Sequence, residues 1–464
     1  MIPNLPFDTA DLHAKDQNWI HPWEDMVNIG HQNRTVITGG DGIYVYDSEG
    51  NRLIDGPAGM WCVNIGHGRA EMADAIAEQA RRMTYYSPWG MTNAPAAQLA
   101  ARITEVAPAG FNHVFFTTGG STAVDSALRF VMFMNNVLGL PDKKNIISLQ
   151  GAYHGSTYLA AACSGKERDK SHMDFERGFV HQLSAPNPYR RPDGVSVEDF
   201  CDAKVQELED KIRHLGPDKV AAFIAEPVQA SGGVIVLPPG YHAKCQAVCR
   251  THDVVYISDE VVTGFGRLGH FFASKEVFGI DPDIIISAKG LTSGYQPLGA
   301  VLIADRLLAK FADKDIKSAT FSNGYTYSGH PVACAAGLKN IEIIEREKIL
   351  ENVLKVSPHF QARLHDLLDI PIVGDARGMG LMGCVECTIS KDQKNPLNLD
   401  YEIGNRIDKH CQDLGLVVRP MINMCVMSPP LTITIKQIDE MMDILRQGIE
   451  LSMEDVRREN LWSD

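Results

Sequence analysis

Asp-Ile-Ile-Ile-Ser-Ala-Lys-Gly-Leu-Thr-Ser-Gly-Tyr, residues 283–295, is an apolar run that stops at a lysine and a loop rich in glycine and serine. Branched residues bounded by turn formers read as a buried strand, with Lys289 at the entry to the following loop. Thirty residues earlier, a second apolar run, Val254 to Ser258, leads straight into Asp259-Glu260.

The same pattern spreads in both directions. Short buried runs at His113–Thr118, Asn145–Leu149, Lys219–Ala225, Val254–Ser258, Asp283–Ser287 and Leu298–Ala304 alternate with helical segments. That alternation predicts an α/β fold with a mostly parallel sheet covered by helices. Upstream, Thr35–Thr38, Ile43–Asp47 and Arg52–Asp55 are separated by Gly39-Gly40-Asp41-Gly42 and Ser48-Glu49-Gly50-Asn51, which predicts a small meander. Helices are expected over Glu71–Met83, from about Pro95, past residue 332, and over Lys436–Met453. The expected division is an N-terminal segment 1–75 belonging to a smaller domain, a large domain 76–335, and a smaller α+β domain completed by 336–464.

The strands end in polar or small residues: Gly119-Gly120-Ser121-Thr122, Gly151-Ala-Tyr153-His154-Gly155, Glu226-Pro227, Asp259-Glu260 and Lys289-Gly290. In parallel sheets ligands bind outside the carboxyl ends of the strands, so all five groups are expected on one edge. Gly119-Gly120-Ser121 opens a helix; it reads either as ordinary capping or as a phosphate site made of free N–H groups. It is not a P-loop, since no Gly-Lys-Ser/Thr comes after it, and it does not spell GxGxxG. A lysine and an aspartate at neighbouring strand ends can hold an aldehyde cofactor as a Schiff base, the carboxylate keeping a pyridine nitrogen protonated. Tyr153 and His154 offer an aromatic face to a flat ring, or pack in the core.

Composition limits the alternatives. The 464 residues carry a formal net charge of −14, which argues against a nucleic-acid or anionic-membrane partner. No stretch reads as a signal peptide or a membrane span, so a cytoplasmic protein is expected. The ten cysteines are scattered through apolar segments, as reduced buried thiols are. Cys384 and Cys387 have CxxC spacing but lie in an expected strand, where they point to opposite faces. With no second CxxC, no metal site is expected.

Three stretches make the pattern specific: Ala222-Phe-Ile-Ala-Glu-Pro-Val228, Ser258-Asp-Glu-Val-Val-Thr-Gly-Phe-Gly-Arg-Leu-Gly269 and Ser287-Ala-Lys-Gly-Leu-Thr-Ser-Gly-Tyr-Gln-Pro-Leu-Gly299. In this order they resemble the class III pyridoxal-phosphate aminotransferases of fold type I, the ω-aminotransferase group. The resemblance runs from Asp41-Gly-Ile-Tyr-Val-Tyr-Asp47 to Ser428-Pro-Pro-Leu431. It implies that Lys289 binds the cofactor's aldehyde and Asp259 its pyridine nitrogen. It implies further that Gly120 and Ser121 hold the phosphate, with Tyr153 and Val261 on the two ring faces and Glu226 nearby. Thr326, in Gly-Tyr-Thr-Tyr-Ser-Gly-His-Pro, matches a threonine that reaches the neighbouring subunit's phosphate, implying a homodimer with shared sites. Whether dimers pair into a tetramer is left open. Thr122 and Val262 depart from the residues frequent in relatives, Glu and Gln.

Ala58-Gly-Met-Trp-Cys-Val-Asn-Ile-Gly66, Gly151-Ala-Tyr-His-Gly-Ser156 and Leu416-Val-Val-Arg-Pro420 resemble amine, β-alanine, putrescine and taurine:pyruvate enzymes. That resemblance implies an aromatic pocket from Trp61 and Trp89 and a carboxylate-binding Arg419, with Arg377 as the runner-up. The expected reaction moves an amino group from an amine or ω-amino acid to pyruvate, giving L-alanine and an aldehyde or ketone. The amine itself is not named by the sequence. The alternatives are another class III reaction, a decarboxylation or an aminomutase, and a nucleotide-binding oxidoreductase.

Overall fold

The computed structural model describes residues 7–30, 34–312, 316–391, 394 and 402–462. At its centre is a seven-stranded sheet in the order His113–Thr117, Gly299–Ile303, Ile284–Ser287, Val255–Asp259, Val220–Ala225, Asn145–Leu149, Val180–Leu183. Six of these strands are the expected runs. The seventh, Val180–Leu183, pairs in parallel with Asn145–Leu149 at the edge and was not anticipated. Its residues Val-His-Gln-Leu are mostly half-buried, so it lacks the apolar run that betrays an inner strand. Gly299–Ile303 runs antiparallel to both neighbours, a direction that its apolar sequence does not encode. The other pairings of the sheet are parallel, so all five polar strand ends do share one edge.

Alternation explains the sheet's two coats. Ala222, Ile224, Val255 and Ile257 face one apolar cluster, with Val124, Leu128 and Val131 of the helix Gly120–Val137 packed onto it. Phe223, Ala225 and Tyr256 face another, with Leu208 and Ile212 of Val197–Leu215 and Cys245 and Cys249 of Tyr241–Thr251. Successive side chains of a strand point to opposite faces, so a strand buried on both sides must be apolar throughout, as Val220–Ala225 is.

The N- and C-terminal parts meet in a second sheet. Ile37–Asp41, Tyr44–Asp47 and Arg52–Asp55 form an antiparallel meander, and Leu416–Val417 joins it in parallel with Arg52–Asp55. The first strand is displaced from the expected Thr35–Thr38: Gly39 and Gly40 are paired within it rather than forming the turn. A side chain at Gly40 would overlap His67, so the glycine serves close packing there. A third sheet orders Val373–Met379, Met382–Cys387, Met424–Met427 and Arg419–Met421. The closing helix, Ile435–Arg458, starts at a capping box of Thr434 and Gln437 and outlasts the expected one. Helix Ala94–Val106 has Pro95 in its first turn and Asn93 as its cap.

Cys384 and Cys387 lie on one strand and pack into different apolar clusters, on opposite faces as expected. Burial pushes the Cys384 thiol up to about 12. Among the described residues no helix is long and apolar enough to cross a membrane.

Candidate active site

Lys289 comes after Ile284–Ser287 at a sharp turn with φ +42°, and the strand Val255–Asp259 beside it delivers Asp259. Burial presses the Lys289 ammonium from 10.5 down to about 8; Arg419 adds to the fall, while Cys62, Asp259 and Glu226 oppose it. A lysine with its pKa pressed to about 8 gives up its proton at far lower pH than an exposed one. The folded chain releases this proton between about 8 and 10.5, where the unfolded chain still holds it. Stability therefore rises through that window, and the full cost of the buried charge is borne below it. In the cofactor-free protein Lys289→Met is expected to add on the order of 2–3 kcal/mol at pH 7 and to lose that advantage by pH 10.5. Urea unfolding at both pH values measures it; an advantage independent of pH would contradict the burial argument.

Asp259 is buried, and one of its oxygens lies 2.7 Å from His154 Nδ1 while the other accepts the Val261 N–H at 3.2 Å. The adjacent Glu260 serves a different purpose. It accepts the N–H groups of Ala273 and Ser274 at 2.6 and 2.9 Å and the Thr263 hydroxyl at 3.2 Å, away from Asp259's partners. The strand's alternation thus splits the acidic pair into a site carboxylate and a structural one.

Glu226, after Val220–Ala225, accepts the Tyr153 N–H at 2.9 Å and the Ala230 N–H at 3.0 Å. Burial, reinforced by Asp259, raises its carboxyl to about 7 against the pull of His154. Glu226 therefore fixes the loop that carries Tyr153 and His154. Ser121 Oγ accepts the Ser156 N–H at 3.1 Å and ties the same loop to the helix Gly120–Val137. At Gly155 (φ +133°) a Cβ would stand 2.5 Å from Ser121 Oγ, so only glycine allows the approach.

Gly120 lies under Val261, whose methyl carbons would be 3.2 and 3.3 Å from a Cβ there, with Ala288 behind. No side chain caps the helix that Gly120 opens, so its first N–H groups remain available to an anion. A glycine floor, an uncapped helix, a buried carboxylate and a buried lysine fit pyridoxal phosphate. Gly120 and Ser121 would hold its phosphate, Asp259 its ring nitrogen, Tyr153 and Val261 its faces, and Lys289 its aldehyde. His154 Nε2 is buried without a hydrogen-bond partner among the described residues, leaving its ring committed through Nδ1 to Asp259.

The substrate side is less uniform. Trp61 is buried, with φ +65°, and Arg419 lies over its ring with 5.9 Å between Cζ and the centroid. Burial lowers the Arg419 pKa, and among the described residues no carboxylate pairs with it; its guanidinium touches Met60 Sδ. Arg377 is engaged elsewhere, on Asp375 and Glu386 (both 2.7 Å) and on the Gly233 carbonyl at 2.7 Å. Of the two arginines, Arg419 is the one without a carboxylate partner among the described residues. Trp89 is exposed beside Gly324 and takes no part in the buried cluster around Trp61. Thr326 is exposed as well, its carbonyl accepting the Tyr85 hydroxyl at 2.7 Å. Thr122 donates to the Gly119 carbonyl at 2.9 Å, and Val262 packs beside the Trp61 cluster.

Two contributors escaped sequence reading. Trp23, from the irregular N-terminus, brings its ring to 6.1 Å from that of Tyr153. Arg267 is wholly buried, donating to the carbonyls of Ser428 at 2.9 Å, Pro429 at 2.5 Å and Leu381 at 3.3 Å and to Asn64 Oδ1 at 2.7 Å. Burial lowers it to about 9, and it joins N-terminal, central and C-terminal segments. An arginine inside Gly-Phe-Gly-Arg-Leu-Gly was the available signal.

Comparison with known proteins agrees with this geometry. The family described as "Aminotransferase class-III" matches residues 26–449. A putrescine–pyruvate aminotransferase of Pseudomonas aeruginosa is 38% identical over 449 residues, 94% of this chain and 97% of that one. A Thermomicrobium roseum structure, a thermostable (S)-enantioselective ω-transaminase, superposes with TM-score 0.91 at 37% identity, covering 97% and 99% of the two chains. The ω-transaminase of Pseudomonas jessenii in complex with PMP gives TM-score 0.92 at 34% identity, covering 96% and 99%. The fold is that of these transaminases, and the chain belongs to the class III aminotransferases, pyridoxal-phosphate-dependent enzymes that pass an amino group from an amine donor to a keto acid.

Proposed function

We propose that this enzyme is an ω-aminotransferase that moves an amino group from an amine or ω-amino acid to pyruvate, giving L-alanine and an aldehyde or ketone. The observation that carries the reading is Arg419, a half-buried guanidinium with no carboxylate partner among the described residues, set over the Trp61 ring. A guanidinium grips a carboxylate through two hydrogen bonds, and a tryptophan wall receives an apolar chain. The pyruvate-using relative supports the acceptor.

Bound pyridoxal phosphate supplies an aldehyde to carry the amino group and an electron-poor ring to take up charge from the substrate carbon. Lys289 Nζ, neutral when it acts, would pass the proton from the carbon that bears the amine to the cofactor's aldehyde carbon, and carry one in the opposite direction in the second half-reaction. Asp259, held by His154, would keep a proton on the cofactor's ring nitrogen. Arg419 orients the keto acid by its carboxylate, and Trp61 screens the pocket from water. Because amine and keto acid use one site in turn, the kinetics are ping-pong.

The proposal includes a homodimer with shared sites. Tyr86, Trp89, Met91 and Tyr327 are exposed around Thr326, an apolar strip of the kind a second subunit covers. It also includes domain limits at 75/76 and 335/336, and a reducing, cytoplasmic setting supported by ten free cysteines. Arg419→Ala is expected to lower kcat/KM for pyruvate by about 100-fold, the loss of a charge-assisted bidentate contact, and that for an uncharged amine by less than about fivefold. Half-reaction kinetics with each substrate check this. Equal losses would remove the carboxylate role from Arg419, and a panel of amines yielding no alanine from pyruvate would refute the acceptor.

A further inference from the structure

The turn that carries Lys289 is held in place by one side chain of a helix distant in sequence, Asn340. Lys289, Gly290 and Leu291 form a single tight helical turn after Ile284–Ser287. Lys289 at φ +42° and Ser293 at φ +50° both take the left-handed conformation. Residues other than glycine adopt that region at a cost, and they stay there only where the surroundings over-determine the backbone. Here the surroundings are polar and buried. Asn340, in the helix Pro331–Arg346, donates through Nδ2 to the carbonyls of Gly290 at 2.8 Å and Leu291 at 3.1 Å. Its Oδ1 accepts the Ser293 hydroxyl at 2.6 Å, and Ser293 Oγ accepts the Ile65 N–H at 3.3 Å. A Cβ at Gly290 would overlap Asn64 Nδ2 and stand 3.0 Å from the Gly264 carbonyl oxygen, so the turn is also packed against the N-terminal segment.

The neighbours of Asn340 on the buried face of its helix, among them Ala336, Ile341 and Ile344, are apolar. A buried amide among them is costly unless satisfied, and this one spends both donors and its acceptor on the one loop. An apolar residue would fasten the helix to the loop as well. The amide does something more: meeting two successive carbonyls and a hydroxyl at once, it selects one backbone geometry. Lys289 is rooted one residue before the first of those carbonyls, so that geometry sets the direction in which its side chain leaves the turn.

We infer that Asn340 is a positioning residue for Lys289: by clamping the carbonyls of Gly290 and Leu291 it holds the left-handed backbone from which the lysine amine reaches the cofactor's aldehyde. This rests on the reading of Lys289 as the cofactor lysine and deepens it. In the capture step the Lys289 nitrogen adds to the aldehyde carbon and water leaves; Asn340 takes part in neither bond change and supplies orientation alone. Contacts made from other elements, Gly120 and Ser121 on one helix and Asp259 on the next strand, do not pass through Asn340 and should survive its loss.

Pyridoxal phosphate and pyridoxamine phosphate separate orientation of the lysine from general damage, since only the first has an aldehyde for Lys289 to join. Asn340→Leu keeps the side-chain volume and removes the clamp. In the full-length chain freed of cofactor, it is expected to slow formation of the yellow imine with pyridoxal phosphate about 30-fold and to leave the Kd of pyridoxamine phosphate within about twofold. Should that variant not fold, Ser293→Ala removes the hydroxyl that orients the amide and is expected to slow the imine about fivefold, again with pyridoxamine phosphate unchanged. An imine rate equal to wild type, or equal losses for the two ligands, overturns the inference. Lys289→Ala is the reference: it should form no yellow imine. If it still forms one, the reading of Lys289 fails and the role of Asn340 falls with it; if it forms none while Asn340→Leu reacts at the wild-type rate, only the role of Asn340 is lost.

Discussion

Replacing Lys289 with alanine is expected to lower kcat by at least about 10,000-fold, because in the proposed mechanism one amine both binds the cofactor's aldehyde and moves the proton. Fold and cofactor capture should survive. Gly120 and Ser121, Asp259 and Tyr153 are positioned by their own contacts, none of which passes through the Lys289 side chain. The far-UV spectrum and the melting transition should remain those of a folded chain. Steady-state alanine formation checks the first part; residual turnover above about one per cent of wild type would sink the assignment of proton transfer to Lys289.

Asp259→Asn is expected to cost about 1,000-fold in kcat, the scale seen when a group that stabilises developing charge is removed. Asparagine is nearly isosteric, can still meet His154 Nδ1 and can still accept the Val261 N–H, so the change removes charge rather than position. In the proposed mechanism the ring nitrogen would then lose the partner that keeps its proton, and the substrate carbon would become less acidic. Comparing the exchange of a deuterium at that carbon with overall turnover locates the defect. A fall of less than about tenfold would mean that His154 or another group carries the proton instead.

Why these two residues could be read from the chain is a matter of surroundings. Lys289 and Asp259 each end an apolar strand, where a charged residue needs a reason, and parallel pairing brings strand ends together. Glu226 was visible for the same reason, and Cys384 and Cys387 could be assigned from the period of their strand. The edge strand Val180–Leu183 stayed hidden because one half-buried face leaves no apolar run. The direction of Gly299–Ile303 depends on which neighbours it finds, not on its own residues.

The choice between Arg419 and Arg377 also needed coordinates: both sit in short strands, and their difference is that Asp375 and Glu386 already occupy one of them. Trp61 and Trp89 look alike in sequence, yet one is buried under Arg419 and the other exposed beside Gly324.

The central claim is that Lys289, and no other lysine, carries the cofactor. Borohydride reduction of the holoenzyme, then proteolysis and mass spectrometry, tests it directly. A single pyridoxyl-modified peptide containing Lys289 is the expected result; modification of Lys166 or another lysine in its place, or no covalent label at all, would contradict it.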